Sequence, residues 1–363
     1  MYEEDIDLLV CPRSRRPLIL ESVDVRAPDG EIEEGRLKEP ESGRSYAIRN
    51  GIPRFVEESS YNASWDYKWR VLDGGEGLNY RIIDKSDVAY QIHDLFDRND
   101  HKAAHGSAVY ERARGGVALD LGCGVGQYSV RLLKEFSPKK LVSLDLTGGV
   151  DVFRTIVKKR YPELLPQLLI VQASVFEMPF RDEQFDFIMS LGVLMHTGNT
   201  RQAITEMFRR LKVGGHVNFW IYCSENVAYS VAEPNRSFTY TMTTVVPIQK
   251  MHRRVAWWIR LFRGRMPHSV VVRFLKFMSS DFMYKLMQRN GFRWMHQWFP
   301  TVVHPDYAYR LINNYDGYVN TWCDTWNEKE IFPTLRENGL VIRGMSDWRL
   351  GLWAIKDPDF YER

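Results

Sequence analysis

The chain has 363 residues, 26% of them charged and 44% apolar, enough for one large domain with an appendage or for two domains. Its 19 Phe, 18 Tyr and 11 Trp exclude a mostly disordered chain, and 49 basic against 46 acidic residues make no case for nucleic acid by charge alone. The length excludes a disulfide miniprotein, and the four cysteines, Cys11, Cys123, Cys223 and Cys323, lie far apart with no C-x-x-C pair to hold a structural zinc or a redox disulfide, which fits reduced thiols in a cytoplasmic protein. The start, Met1-Tyr2-Glu3-Glu4-Asp5, is acidic with no apolar run behind it, and nowhere do 18 uncharged apolar residues follow one another, so neither a secretory signal nor a membrane span is expected.

Charge divides the chain. Residues 1–60 carry 14 acidic and 9 basic side chains, whereas residues 220–300 carry 3 acidic and 12 basic. We read an acidic head (1–58), an aromatic linker (59–114), an alternating α/β centre (115–223), a basic aromatic insert (224–328) and an α/β tail (329–363).

In the centre, Val117-Ala118-Leu119-Asp120-Leu121 is a short apolar run suited to a strand buried on both faces. Gly122-Cys123-Gly124-Val125-Gly126 follows, then Tyr128, Leu132, Leu133 and Phe136 at helical spacing, so strand, glycine turn and helix are predicted. Such a turn lets a ligand approach the backbone beside the free N–H groups of a helix start. The next strand, Leu141-Val142-Ser143-Leu144-Asp145, ends in a carboxylate, which can accept hydrogen bonds from both hydroxyls of a ribose. The dinucleotide fingerprint fails, because its third glycine falls on Gln127 or Ser129, and no phosphate loop of the G-x-x-x-x-G-K-[ST] type occurs. A carboxylate two residues before the first glycine suits a cationic ligand better than a pyrophosphate.

The run D-L-G-C-G-V-G resembles motif I of the class I S-adenosylmethionine (SAM) dependent methyltransferases, of the type 11/12 kind. Ile170 to Phe180 is similar to that family's third strand and following loop, and Phe185 to Thr197 to its fourth strand. A helix with Ala203, Ile204, Met207, Phe208 and Leu211 on one face follows, N-capped by Asn199 or Thr200 and stopped at Leu211-Lys212-Val213-Gly214-Gly215, with glycine as C-cap. Val217–Tyr222 is the fifth strand, and 339–343 with 350–355 form a closing hairpin. The resemblance covers roughly 115–223 and 329–357. It implies an α/β fold with a Rossmann-like seven-stranded sheet and a C-terminal antiparallel hairpin, joined to a small β-rich N-terminal domain and a helical cap insert.

Carried over by position, the resemblance implies a SAM site, with S-adenosylhomocysteine as product. Asp120 and the backbone of Gly122, Cys123, Gly124 and Gly126 face the amino acid end of SAM. Asp145 with Leu146 holds the ribose; Ser174, Val175 and Phe176 flank the adenine; Ser190 and Leu191 line the fourth-strand side. Ser174 departs from the aspartate usual there, and a neutral hydroxyl accepts more weakly. His196 and His304 are the candidate acid–base groups, with His196 as base for a hydroxyl acceptor or as part of the site wall.

The head resembles the small zinc-binding domain related to the activator subunit of tRNA methyltransferases, on Leu8-Leu9-Val10-Cys11-Pro12 through Leu18 and Glu39 through Phe55. Of the four ligand positions only Cys11 keeps sulfur; Ser14, Glu39 and Ser42 stand at the others, so no metal is expected. Ser64-Trp65-Asp66-Tyr67-Lys68-Trp69 is read either as a lid with an aromatic near the sulfonium or as glue between head and core. In the insert, Met251 to Phe262 and the set Val272, Leu275, Met278 and Phe282 suggest two helices. Its arginines are read as solvated, as holding an anionic substrate, or as meeting nucleic acid or a membrane surface.

The function expected is methyl transfer to a small-molecule acceptor, O-methylation of a metabolite or glycan precursor, with nucleic acid not expected as partner. The rivals are an RNA methyltransferase, a SAM-using enzyme of the same fold that catalyses another reaction such as cyclisation, and a catalytically silent scaffold. The oligomeric state stays open, a homodimer included.

Overall fold

The structure, a computed structural model, describes residues 1–56, 63–69, 108–222, 266–289, 306–319, 324–345 and 351–361. The expected helix over 251–262, His304, Cys223 and Cys323 lie outside the described residues.

Five strands run parallel: β5 (Val117–Leu121), β6 (Lys140–Asp145), β7 (Leu168–Gln172), β8 (Phe185–Leu191) and β9 (Leu211–Trp220). The hairpin of β10 (Leu340–Met345) and β11 (Gly351–Lys356) pairs antiparallel through β11 with β9. The order is β10-β11-β9-β8-β5-β6-β7, the seven-stranded arrangement expected. Helices α3 (Gln127–Phe136), α4 (Gly149–Arg160) and α5 (Thr200–Arg210) are the crossovers; α1 (Ala63–Tyr67) and α2 (Ala108–Glu111) precede them in the chain. Leu119, Val142, Leu169, Ile188 and Val217 are all but inaccessible, which accounts for the unbroken apolar runs. The chain moves from β5 out to β7 and returns to β8 on the other side of β5. That reversal opens a crevice beyond the carboxyl ends of β5, β6 and β8, where open α/β sheets bind ligands.

Helix α5 buries Ala203, Ile204, Met207 and Phe208, and the large apolar members contribute about 1.5–3 kcal/mol each. Asn199 is its N-cap, accepting the Gln202 N–H at 3.1 Å. Its end differs from expectation. The helix stops at Leu211 in extended conformation, and Leu211 pairs at once with Phe185 of β8. Gly214, left-handed at φ 77°, lies inside β9 where the pairing register shifts. Strand pairing, not a glycine C-cap, ends this helix.

The head is a four-stranded antiparallel sheet of β1 (Ile19–Arg26), β2 (Ile32–Lys38), β3 (Ser45–Arg49) and β4 (Ile52–Pro53). It is fused to the core rather than tethered to it. Phe55 N–H donates to Gln172 O at 2.8 Å beside β7, Val10 N–H to Pro179 O at 2.9 Å, and one apolar cluster runs from Leu9, Ile32 and Ile48 into Val142, Val171 and Phe180. Arg154 on α4 pairs with Glu31, both buried, and Arg54 pairs with Asp151 at 2.6 Å. Cys11 Sγ lies 3.2 Å from the Tyr46 hydroxyl, and the buried Glu39 carboxylate accepts the Glu41 and Ser42 N–H groups at 2.9 and 3.0 Å. Among the described residues no three His, Cys, Asp or Glu side chains gather as metal ligands.

The insert contributes α6 (His268–Met278), α7 (Asp281–Gln288) and α8 (Tyr307–Val319); α9 (Glu328–Glu337) leads into the hairpin. Val272, Leu275 and Met278 share the buried side of α6 as expected, but Phe282 does not. The chain breaks at Ser279–Ser280, Ser280 caps α7 by accepting the Met283 N–H, and Phe282 on α7 is exposed. No helix among the described residues is long and apolar enough to cross a membrane.

Candidate active site

Three loops meet at the crevice. Gly122 and Cys123 donate their N–H groups to Leu144 O at 2.7 and 3.0 Å, and Ala173 N–H donates to Asp145 O at 3.1 Å. The Asp145 carboxylate joins them: Oδ2 accepts the Gly124 N–H at 2.8 Å, and Oδ1 accepts from Thr147 N–H and Oγ1–H at 2.9 and 2.8 Å. Burial pushes this carboxyl above its ordinary value, and the donated N–H groups of Thr147 and Gly124 oppose that rise. Oδ1 is filled by its two Thr147 donors, Oδ2 keeps room for another donor, and the residue is half-buried.

Gly126 must be glycine. It holds φ 78° at the start of α3, and a Cβ there would sit 2.1 Å from the Phe153 ring. Beneath the turn lies Asp120, 3% exposed; its Oδ2 accepts from Ser129 Oγ at 2.6 Å, and Ser129 Oγ is 2.8 Å from Ser143 Oγ. Burial raises this carboxyl to about 7, the Ser129 bond opposing and the Asp145 charge adding. The expected place at the amino acid end of a ligand is thus not where its described hydrogen bond runs. The Cys123 thiol is likewise pushed well up by burial and by Asp145 and Asp120.

The other expected positions separate into two groups. Leu146, Ser174 and Phe176 are half-buried at the crevice with Val175 beside them. Ser174 Oγ accepts the Phe176 N–H at 3.2 Å, capping the turn Val175–Glu177. Ser190 and Leu191 are buried, and Ser190 Oγ donates to Leu121 O at 3.0 Å, tying β8 to β5. His196, half-buried after β8, places its ring 5.4 Å from both Trp65 and Tyr222.

Residues 63–69 of the aromatic linker lie over this crevice. Asp66 Oδ1 accepts the Gly148 N–H at 2.5 Å, at the positive end of α4. Trp69 covers the turn so closely that Cβ atoms added to Gly124 and Gly149 would lie 3.1 and 3.0 Å from its indole. Lys68, 6% exposed, sets Nζ 4.5 and 4.3 Å from the ring centres of Trp65 and Trp69. Sequence reasoning missed Thr147, Asp66 and Lys68 as site residues. The D-x-T spacing of 145–147 was the available signal for Thr147; nothing local marks Lys68 for burial.

Residues 119–219 match the family described as "Methyltransferase domain". The chain is similar to the demethylmenaquinone methyltransferase of Oceanobacillus iheyensis, 24% identical over 177 residues that cover 47% of this chain and 69% of that one. It is also similar to the human "Probable tRNA methyltransferase 9B", 32% identical over 120 residues, 32% of this chain and 24% of that one. Among solved structures, a chain of the complex between the Haloferax volcanii Trm112 methyltransferase activator and a methyltransferase is 12% identical, with TM-score 0.38 over 74% of this chain and 94% of that one. The matched stretch runs from within β5 nearly to the end of β9, and the crevice described above lies at the carboxyl edge of those strands.

Proposed function

We propose that this chain is a SAM-dependent methyltransferase whose acceptor is a small molecule, with a hydroxyl oxygen as the atom methylated. The observation that carries the reading is the half-buried Asp145 carboxylate, held by Gly124 N–H and Thr147 at the end of β6 with an acceptor position left on Oδ2. That acceptor suits a ribose hydroxyl as donor. When bound, SAM supplies an electrophilic methyl on a cationic sulfur.

The protein groups then have these roles. Asp145 holds the ribose, accepting from a hydroxyl at Oδ2; the turn from Gly122 to Gly126 admits the ligand close to the backbone; Asp120 supports that turn from below. Leu146, Ser174, Val175 and Phe176 flank the adenine, with Ser174 also serving as a turn cap. Ser190 and Leu191 stiffen the β8 wall. The indoles of Trp65 and Trp69 favour cationic charge in the crevice, as the Lys68 ammonium between them illustrates. Methyl transfer is an in-line displacement, so holding the partners in line supplies much of the rate. His196, between Trp65 and Tyr222, takes the proton released from the acceptor hydroxyl; His304 remains a second candidate base.

In domain terms we propose a metal-free zinc-ribbon relic at 1–58 that braces the core, a lid at 59–114, and a catalytic domain at 115–363 with its cap at 224–328. The demethylmenaquinone methyltransferase supports a small acceptor. The tRNA methyltransferase relative favours RNA as second reading. Calorimetry with S-adenosylhomocysteine tests the cofactor, and labelled methyl transfer at low and moderate salt tests the acceptor. Transfer to bulk tRNA that collapses as salt rises would replace the first reading by the second.

A further inference from the structure

Helices α6 and α7 are apolar on two sides. The inner side of α6 is accounted for: Val271, Val272 and Leu275 pack with Leu311 and Tyr315 of α8 and with Tyr67 of the lid. The outer side is open among the described residues. Val270 and Phe277, seven residues apart on one side of α6, are 41% and 56% exposed; Met266, just before the helix, is 40% exposed, and Phe282 at the start of α7 is 65% exposed. Single exposed apolar residues are ordinary, but three on two consecutive short helices, with Met266 just ahead of them, are not. Around them stand Arg273, Lys276, Lys285 and Arg289, all exposed. The one acid between residues 266 and 289 is Asp281, which the buried Arg310 holds at 2.5 Å.

We propose that this outer face of the cap docks on an anionic lipid bilayer, with Phe277 and Phe282 entering the interface and the four cations meeting the headgroups. Charge complementarity selects an anionic surface. The aliphatic Val270 and Met266 select lipid over nucleic acid, because they have no ring to stack on a base but do gain by leaving water. Docking needs no assumption about the reaction, and its test reads partition rather than turnover.

The full chain is floated with vesicles of phosphatidylcholine alone and of phosphatidylcholine with phosphatidylglycerol at about three to one, and its binding to bulk tRNA is measured in parallel. Partition should be at least about tenfold stronger on the anionic vesicles and should fall as salt rises. K276Q/K285Q should lower it by about tenfold or more, at roughly fivefold per charge. F277S/F282S should lower it by a similar factor, and F282S alone, at the most exposed site, repeats the test should the double variant fold poorly. Equal partition on the two vesicle types, partition indifferent to F282S, or salt-sensitive tRNA binding without vesicle binding overturns the proposal.

Discussion

Asp145 Oδ2 accepts the N–H of Gly124 at 2.8 Å, so the end of β6 and the glycine turn after β5 are one unit. A single carboxylate therefore both shapes the turn and faces the crevice. Asp145→Ala should weaken S-adenosylhomocysteine binding by roughly 1–3 kcal/mol, about 5- to 150-fold in Kd. Calorimetry at fixed pH measures it, and unchanged affinity would remove the ribose role.

Asp120 makes stability pH-dependent. Its folded-state value of about 7 lies above the ordinary 3.8, so the folded protein keeps a proton that the unfolded chain releases. This contribution is fully present below about pH 4 and is lost as pH rises through about 7, by at most about 4 kcal/mol. Asp120→Asn, which cannot ionise and can still accept from Ser129, should lack this decline. Urea unfolding of both proteins at acidic and mildly alkaline pH decides it; parallel profiles would be evidence against the raised value.

His216 acts in the opposite sense. Its imidazole is pushed down to about 4 by burial and by the charges of Arg112 and Arg343, and Nδ1 accepts from Trp353 Nε1 at 3.0 Å. Because the folded value is depressed below the ordinary 6.5, stability is lost as pH falls from about 6.5 toward 4. The ring should remain neutral at about pH 5.5 by nuclear magnetic resonance, and Trp353→Phe should cost about 1 kcal/mol.

Gly124→Ala combines two costs. The residue holds φ 55°, worth about 1–2 kcal/mol for a side chain, and its Cβ would press on Trp69 at 3.1 Å. Combining it with Trp69→Ala should relieve the contact but not the backbone strain, so the double variant should lose less than the sum of the singles. Additive losses in thermal melts would show that Trp69 does not cover the turn.

The head and core should unfold together, because Leu9, Ile32 and Ile48 share a cluster with Val142 and Val171. Glu31→Ala leaves Arg154 buried opposite no carboxylate and should destabilise that single transition by about 3–5 kcal/mol. Two calorimetric transitions in the unaltered protein would contradict this.

What the sequence by itself determined is local. The apolar runs of β5 to β8, the glycine turn at 122–126, a cap at Asn199 or Thr200 and the closing hairpin were legible, because short-range spacing and backbone chemistry dictate them, and the structure chose Asn199. The Asp145 position was legible for the same reason: it ends a strand of predictable length. Tertiary structure decided the rest. Leu211 leaves its helix because Phe185 is there to pair with it, so Gly214 was free to serve a bulge instead of a cap. Asp120 turns toward Ser129 and Ser143, whose positions follow from how α3 and β6 pack beside β5. Lys68 is buried only because Trp65 and Trp69 meet around it over the crevice, and the acidic head joins the core through Arg54–Asp151 and Glu31–Arg154. Each of these joins residues distant in the chain or depends on a neighbouring surface, and no local pattern encodes the approach of two surfaces that folding alone brings together.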